Sequence, residues 1–295
     1  MKKLLFFCIL LITLLASCKK FIPLNIEKIN DNQVAPLNAE LPLPLKIKVL
    51  NHKGEAIEGV KVRFFIKNGS GTFQDNSFEA FDTTDAEGFA ECRFILGVEA
   101  TAQQIEVEIK KYDGEAVIFT ASPEYFTDTR DGQQYLLTKI GSQIWTAESI
   151  RYQSANSWAN PNFPSQLYGK LYNWNEAQSI CPSGFSLPTR AEFETMTTTV
   201  GNEYFTIGKK LKSRLGWLFN EEGRNLVGFD LYPAGNYAID SSDYRGLGEY
   251  AAVWTATETN PLQAVYGVLS YNSPNIYYYN LEKSTACACR CIKNQ

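Results

Sequence analysis

The sequence predicts a multidomain chain: an all-β sandwich over residues 37–122, followed over 124–295 by a domain that mixes helices with strands. Three observations carry this reading. Residues 43–121 hold short runs of alternating apolar and polar residues, divided by Gly-containing turns, the pattern of a sandwich. Asn173–Ile180 and the run after Thr189 carry helix start and stop signals. The 295 residues, 44% hydrophobic and 20% charged, have ordinary globular composition and suffice for two domains.

The chain opens on Met1-Lys2-Lys3 and an apolar run from Leu4 to Leu15. That run is well short of the roughly 20 residues a membrane-spanning helix needs and has the form of a secretory signal core. Residues 1–17 are therefore read as a lipoprotein signal peptide. Leu15-Ala16-Ser17-Cys18 resembles the bacterial lipobox, which implies cleavage before Cys18 and diacylglycerol attachment to its sulfur. Residues 18–36 are polar, rich in Asn and without period, and are expected to form the lipid anchor and tether. This places the chain at the bacterial outer membrane, held by its lipid, with the cell-surface and periplasmic faces both open. The net charge of −4 is small and dispersed, so nucleic acid is not an expected partner.

In the first domain, Leu45, Ile47 and Val49 alternate with polar residues, as do Val60, Val62, Phe64 and Ile66. Gly69-Ser70-Gly71 and Thr84–Gly88 turn the chain, and strands are expected over 89–96, 105–109 and 117–121. Gly59-Val60-Lys61-Val62-Arg63-Phe64, then Gly69, then Thr84-Asp85-Ala86-Glu87-Gly88-Phe89-Ala90 resemble the bacterial Ig-like domains of the invasin and intimin kind. The resemblance implies a stalk. Cys92 is read as a buried strand thiol, and His52, the sole histidine, as a surface residue.

The second domain opens with a turn and strand at Asp131-Gly132-Gln133-Gln134-Tyr135, and Gly141-Ser142 joins two strands of a hairpin. The helical run 173–180 ends at Pro182 and Gly184, and Thr189 with Glu192 has capping-box spacing. The blocks Ile140-Gly141-Ser142-Gln143-Ile144-Trp145, Tyr168–Trp174, Cys181–Thr189, Leu211-Lys212-Ser213 with Gly216-Trp217, Gly228-Phe229 with Pro233-Ala234-Gly235, Trp254–Glu258 and Arg290–Lys293 follow in order. Together they resemble the Fibrobacter succinogenes major paralogous domain over 126–294. Thr146 and Ser149-Ile150 depart from the family's usual residues, and Cys287 and Cys289 are additional cysteines. The resemblance implies a C-type-lectin-like α+β fold, related to that of formylglycine-generating enzymes. A cysteine after the first helical run and one in the last strand suit that fold as a staple, so Cys181 and Cys291 are expected to pair.

Cys287, Cys289 and Cys291 stand two apart, which in a strand puts all three thiols on one side. That does not wrap a tetrahedral ion, so no metal site is expected. The second domain lacks histidine, which removes Ser-His-Asp and Cys-His catalysis. No Gly-rich phosphate loop is present, and no loop has the carboxylate pattern of a calcium-dependent lectin. No catalytic residue and no cofactor are therefore assigned. What stands out is two loop regions rich in Tyr, Asn, Ser and Asp, residues that combine rigid amphipathic rings with adaptable hydrogen bonding. The candidate ligand residues are Tyr237, Asp240, Asp243 and Tyr244 in the first, and Tyr271, Asn272, Asn275, Tyr277 and Tyr279 in the second. The expected function is an adhesin-like envelope protein whose stalk presents a lectin-like head to an extracellular protein or glycan. The alternatives are a structural or assembly component of the envelope, an enzyme of the formylglycine-generating type, and a retroelement diversification target, which such loops also resemble.

Overall fold

A computed structural model describes residues 24–294, apart from 111, 113, 164 and 202–205. The signal segment 1–17 and the lipidation residue Cys18 lie outside the described residues. The first lobe is built on two facing sheets, with a short pairing of 72–73 and 94–95 beside them. One sheet is β1 (Leu24–Ile29), β3 (Leu45–Asn51) and β6 (Phe89–Cys92), in the order β1-β3-β6. The other runs β2-β8-β7-β4-β5, from β2 (Gln33–Ala35), β8 (Val117–Pro123), β7 (Gln103–Ile109), β4 (Lys61–Asn68) and β5 (Glu79–Thr83). Alternation explains the core. Leu45, Ile47 and Val49 from one sheet meet Val62, Phe64, Ile105, Val107 and Phe119 from the other, while the intervening residues face outward. Cys92 is half-buried against this core.

The expected tether is corrected here. Residues 24–35 are two strands of the sandwich: β1 pairs antiparallel with β3, and β2 pairs parallel with β8. The Asn-rich stretch reads as linker because its asparagines make the crossing between sheets. Asn30 and Asn32 adopt φ of 62° and 56°, which Asn tolerates better than most residues. Between them the Asp31 carboxylate accepts the Thr120 amide at 2.8 Å. Leu24 and Ile26 then pack on the core.

The second lobe mixes helices with strands. Its smaller sheet is ordered β9-β10-β11-β20-β13: β9 (Tyr125–Thr127), β10 (Gln134–Ile140), β11 (Gln143–Thr146), β20 (Ile292–Lys293) and β13 (Phe185–Ser186). The β10–β11 hairpin turns on Gly141-Ser142 as expected. The larger sheet passes through β12 (Leu171–Asn173), β19 (Ala286–Ala288), β16 (Tyr250–Glu258), β17 (Gln263–Ser270) and the edge strand β18 (Tyr277–Glu282). A hairpin of β14 (Asn236–Ala238) and β15 (Asp243–Arg245) joins it through β19.

Helix α1 (Trp174–Ile180) is capped by the Asn173 side chain, which accepts the Glu176 amide. It stops at Cys181, which Pro182 keeps extended at ψ 140°. Helix α2 (Arg190–Val200) starts on the Thr189–Glu192 capping box. Cys181 and Cys291 form a disulfide that ties the end of α1 to the chain just before β20 across 110 residues. Cys287 and Cys289 are free thiols, fully buried in the same core.

The two lobes are joined by more than one strand of chain. Leu37 lies parallel to Thr138: its amide donates to Leu137 O at 2.8 Å, and its carbonyl accepts the Lys139 amide at 2.9 Å. The loop from the second lobe comes so close that a Cβ on Gly228 would lie 2.9 Å from Thr138 Oγ1 and 3.1 Å from Leu37 Cδ1. Gly228 also has φ +67°, so both space and backbone require glycine.

Candidate binding surfaces

The structure distributes the nine expected ligand residues over three places. Tyr237 and Tyr244 face each other across the β14–β15 hairpin with ring centroids 4.6 Å apart. Tyr237 also stacks on Trp158 at 5.4 Å, and Tyr244 Oη donates to Ala159 O at 2.8 Å. Both rings are half-buried packing elements. Asp240 and Asp243 are exposed and locally satisfied: Asp240 accepts the Ser241 amide, and Asp243 pairs with Arg245. Strands β16 and β17 separate this hairpin from β18, so the two expected regions do not form one face.

Tyr271 is the second place. Its ring packs on Phe219 at 4.8 Å, its amide donates to Glu249 O, and its carbonyl accepts Lys212 Nζ. Lys212 is fully buried, sits 4.6 Å from the Trp217 ring centroid, and has its pKa pushed down by burial to about 8. Trp217 Nε1 donates to Ser213 Oγ. The Lys-Ser…Gly-Trp block is therefore a brace under the 271–276 loop. Gly208 completes it by donating its amide to Pro274 O at 2.7 Å. Asn272 points to solvent, and Asn275 is half-buried.

The third place is the edge. Trp254, Tyr266 and Tyr279 lie side by side on neighbouring strands, with centroid spacings of 6.3 and 6.4 Å. The row runs from the fully buried Trp254 through the half-buried Tyr266 to Tyr279, which is 56% exposed. Tyr277, two residues before Tyr279 and so on the same face, is 45% exposed. Tyr278 points the other way, toward Phe193. Only Tyr277 and Tyr279, of the five candidate tyrosines, present their rings to solvent to this degree.

A groove that sequence reasoning missed lies between the lobes. It has a volume of about 520 Å³ and takes residues from both, among them Val98, Ala100, Leu167, Leu215, Asp230 and Tyr232. Asp230 has φ 45°; its amide donates to Asn225 Oδ1 and its carbonyl accepts Arg290 Nη2, each at 2.9 Å. Arg290 is fully buried, stacks 4.5 Å from the Phe229 centroid, and bonds Thr146 O as well. Burial pulls its pKa down to about 10. Burial also raises the Asp230 carboxyl above the ordinary aspartate value, against the pull of Arg290. No local sequence signal marks the groove, because its residues come from five separated stretches.

Among the described residues no group of three or more His, Cys, Asp or Glu side chains is arranged to hold a metal ion. No helix among them is long and apolar enough to cross a membrane.

A family model described as Fibrobacter succinogenes major domain matches residues 138–293. No curated protein matches the sequence. Similar solved structures include the Yersinia pseudotuberculosis adhesin InvE, at 11% identity and TM-score 0.35, covering 90% of this chain and 70% of that one. Invasin, a bacterial integrin-binding protein, is similar at 15% identity and TM-score 0.28, covering 46% of this chain and 28% of that one. The C-terminal 282-residue fragment of intimin, solved in complex with the intimin-binding domain of the translocated intimin receptor, is similar at 13% identity and TM-score 0.24, covering 93% of this chain and all of that one. Scores this low carry no argument about fold or function.

Proposed function

This chain belongs to the Fibrobacter succinogenes major domain family, and on that premise we propose that it is an adhesin-like binding protein of the bacterial envelope. In this reading Cys18 is lipidated after removal of 1–17, the protein is held at the outer membrane, and the sandwich lobe acts as a stalk. The second lobe is a C-type-lectin-like head that binds an extracellular protein or glycan without catalysing a reaction. The Cys181–Cys291 staple and the pairing of an early strand, β11, with the last strand, β20, support that assignment of the head.

The observation that carries the binding role is the aromatic row ending at Tyr279 on an unpaired sheet edge. The row is anchored in the core at Trp254, so its outer ring is presented with little conformational freedom left to lose on binding. Burial explains Trp254 and Tyr266; it does not explain two tyrosines kept in water beside an open edge. The test is a Tyr277→Ala/Tyr279→Ala double variant of the full chain, displayed on cells and screened against panels of extracellular proteins and glycans. Retention of a ligand by the natural chain is expected to be lost in the variant, with the melting temperature unchanged. If external protease can reach the second lobe and yet untreated cells retain no ligand, the reading is defeated. Failure of protease to reach that lobe would favour an envelope-assembly role.

A further inference from the structure

The groove between the lobes has the makings of a second, separate site. Asp230 is among its polar lining residues. Among the described residues its carboxylate accepts no hydrogen bond and lies in no ion pair; only longer-range charges act on it. Glu148 and Arg290 are occupied elsewhere, and Arg214 in part. Glu148 accepts from Arg151 Nη1 and from the Leu136 amide, each at 3.3 Å. Arg290 spends both terminal nitrogens on the Thr146 and Asp230 carbonyls. Arg214, exposed at the rim, donates Nε to the Arg224 carbonyl at 3.1 Å.

The carboxylate is also held in place. Asp230 sits in the left-handed region at φ 45°, a conformation that persists only when its surroundings fix it, and here a hydrogen bond on each side of the residue does so. The groove's wall is mixed, with Glu99, Glu148 and Arg214 beside its apolar residues, and among the latter Leu215 is 66% exposed and Leu167 46% exposed. A volume of about 520 Å³ falls within the range of small-ligand sites, which favour domain junctions. A fixed carboxylate without a hydrogen-bond partner, in a groove that also exposes two leucines, calls for a cation on an apolar stem, since a charged donor best offsets the desolvation of the carboxylate.

We propose that this groove binds an alkylammonium group, with the ammonium on the Asp230 carboxylate and the carbon stem against Leu167 and Leu215. The group is supplied either by a free amine or by the side chain of a lysyl residue. The site is distinct from the tyrosine edge, so each stands or falls alone.

The experiment is an NMR titration of the full chain with n-butylammonium, n-butanol and Nα-acetyl-lysine amide. The amine is expected to perturb resonances of the 214–232 segment and the alcohol to leave them unmoved. Tighter binding of the lysine amide than of butylammonium identifies a lysyl side chain as the natural occupant, and the reverse identifies a free amine. Asp230→Asn keeps shape and tolerates the left-handed backbone, and is expected to weaken amine binding by about tenfold or more. Leu215→Ala, at an exposed position, is expected to weaken it by roughly two- to fivefold. Acidification gives a second readout. Burial and Glu148 raise the Asp230 pKa, while Arg290 and Arg214 oppose them. The net upward shift means that binding falls off at a higher pH than an exposed aspartate would dictate. Equal binding of butanol, unchanged amine binding by a folded Asp230→Asn protein, or no amine binding at all would overturn the proposal.

Discussion

The two lobes reach a stable core by different means. In the sandwich the core cluster is apolar, supplied by strand alternation; its fully buried polar side chain, Gln103, is uncharged and accepts the Gly71 and Gly97 amides, and its ion pairs lie outside: Lys46–Glu91, Arg63–Glu79, Arg63–Glu108 and Lys67–Glu106 are all on the surface or half-exposed. The second lobe buries Lys212 and Arg290 completely, and closes a 110-residue loop with a disulfide. Much of residues 206–248 is irregular, so strand pairing leaves backbone groups there unpaired. The buried cations answer part of that need: Lys212 donates to the Tyr271 carbonyl in a loop, and Arg290 joins the Thr146 carbonyl at the end of β11 to the Asp230 carbonyl in the irregular chain. Both lobes borrow side chains where backbone pairing gives out; the second lobe uses buried cations among them.

The largest expected effect follows from the disulfide. In a Cys181→Ala/Cys291→Ala variant the unfolded chain regains the freedom of a loop of this length, and stability is expected to fall by roughly 2–5 kcal/mol. Differential scanning calorimetry of the full chain checks it. If the lobes differ as described, the transition of the second lobe moves down and that of the sandwich stays. Equal movement of both would mean that the Leu37–Thr138 junction makes the chain one cooperative unit.

The next effect depends on pH. Lys212 has a folded pKa of about 8 against 10.5 in the unfolded chain. Below about pH 8 both states carry the proton, and burial of the charge counts fully against folding. As pH rises from 8 to 10.5 the folded lysine loses its proton first, and the penalty is relieved by at most about 3 kcal/mol. Lys212→Met, similar in volume and without charge, lacks this dependence. Urea denaturation at pH 7 and pH 9.5 is expected to show the natural chain gaining on the variant at the higher pH. A constant difference would mean that the carbonyl of Tyr271 already compensates the charge.

What was legible in the sequence follows the same division. Strand alternation from Leu45 to Ala121, the Gly141-Ser142 hairpin and the Thr189–Glu192 cap are local signals, and the structure has each of them. The pairing of Cys181 with Cys291 came through family resemblance, not spacing. The 24–35 strands were missed because Asn residues read as linker also serve as turns. The ligand residues were legible only as a composition. Composition does not distinguish Tyr237, stacked under Trp158, from Tyr279 at an open edge, because that depends on which strands lie between them. Asp230 had no local mark at all, since its partners Asn225 and Arg290 are 5 and 60 residues away.

The smallest expected effect is on the sandwich surface. Arg63 has two carboxylate partners, Glu79 and Glu108, at 2.7 and 2.8 Å, and lies 4.8 Å from the Phe65 ring centroid. Its partners are charged, whereas Lys212 donates to a carbonyl. Yet its side chain is 39% exposed, and water and salt screen what the pairs gain while the long side chains lose rotamer freedom to keep them. Arg63→Met is therefore expected to leave the sandwich transition unmoved within experimental error at physiological salt. A clear loss that disappears at high salt would show that three charges on one sheet face act as a network. The sandwich would then also depend on its ions, and the contrast with the second lobe would narrow to where those ions sit.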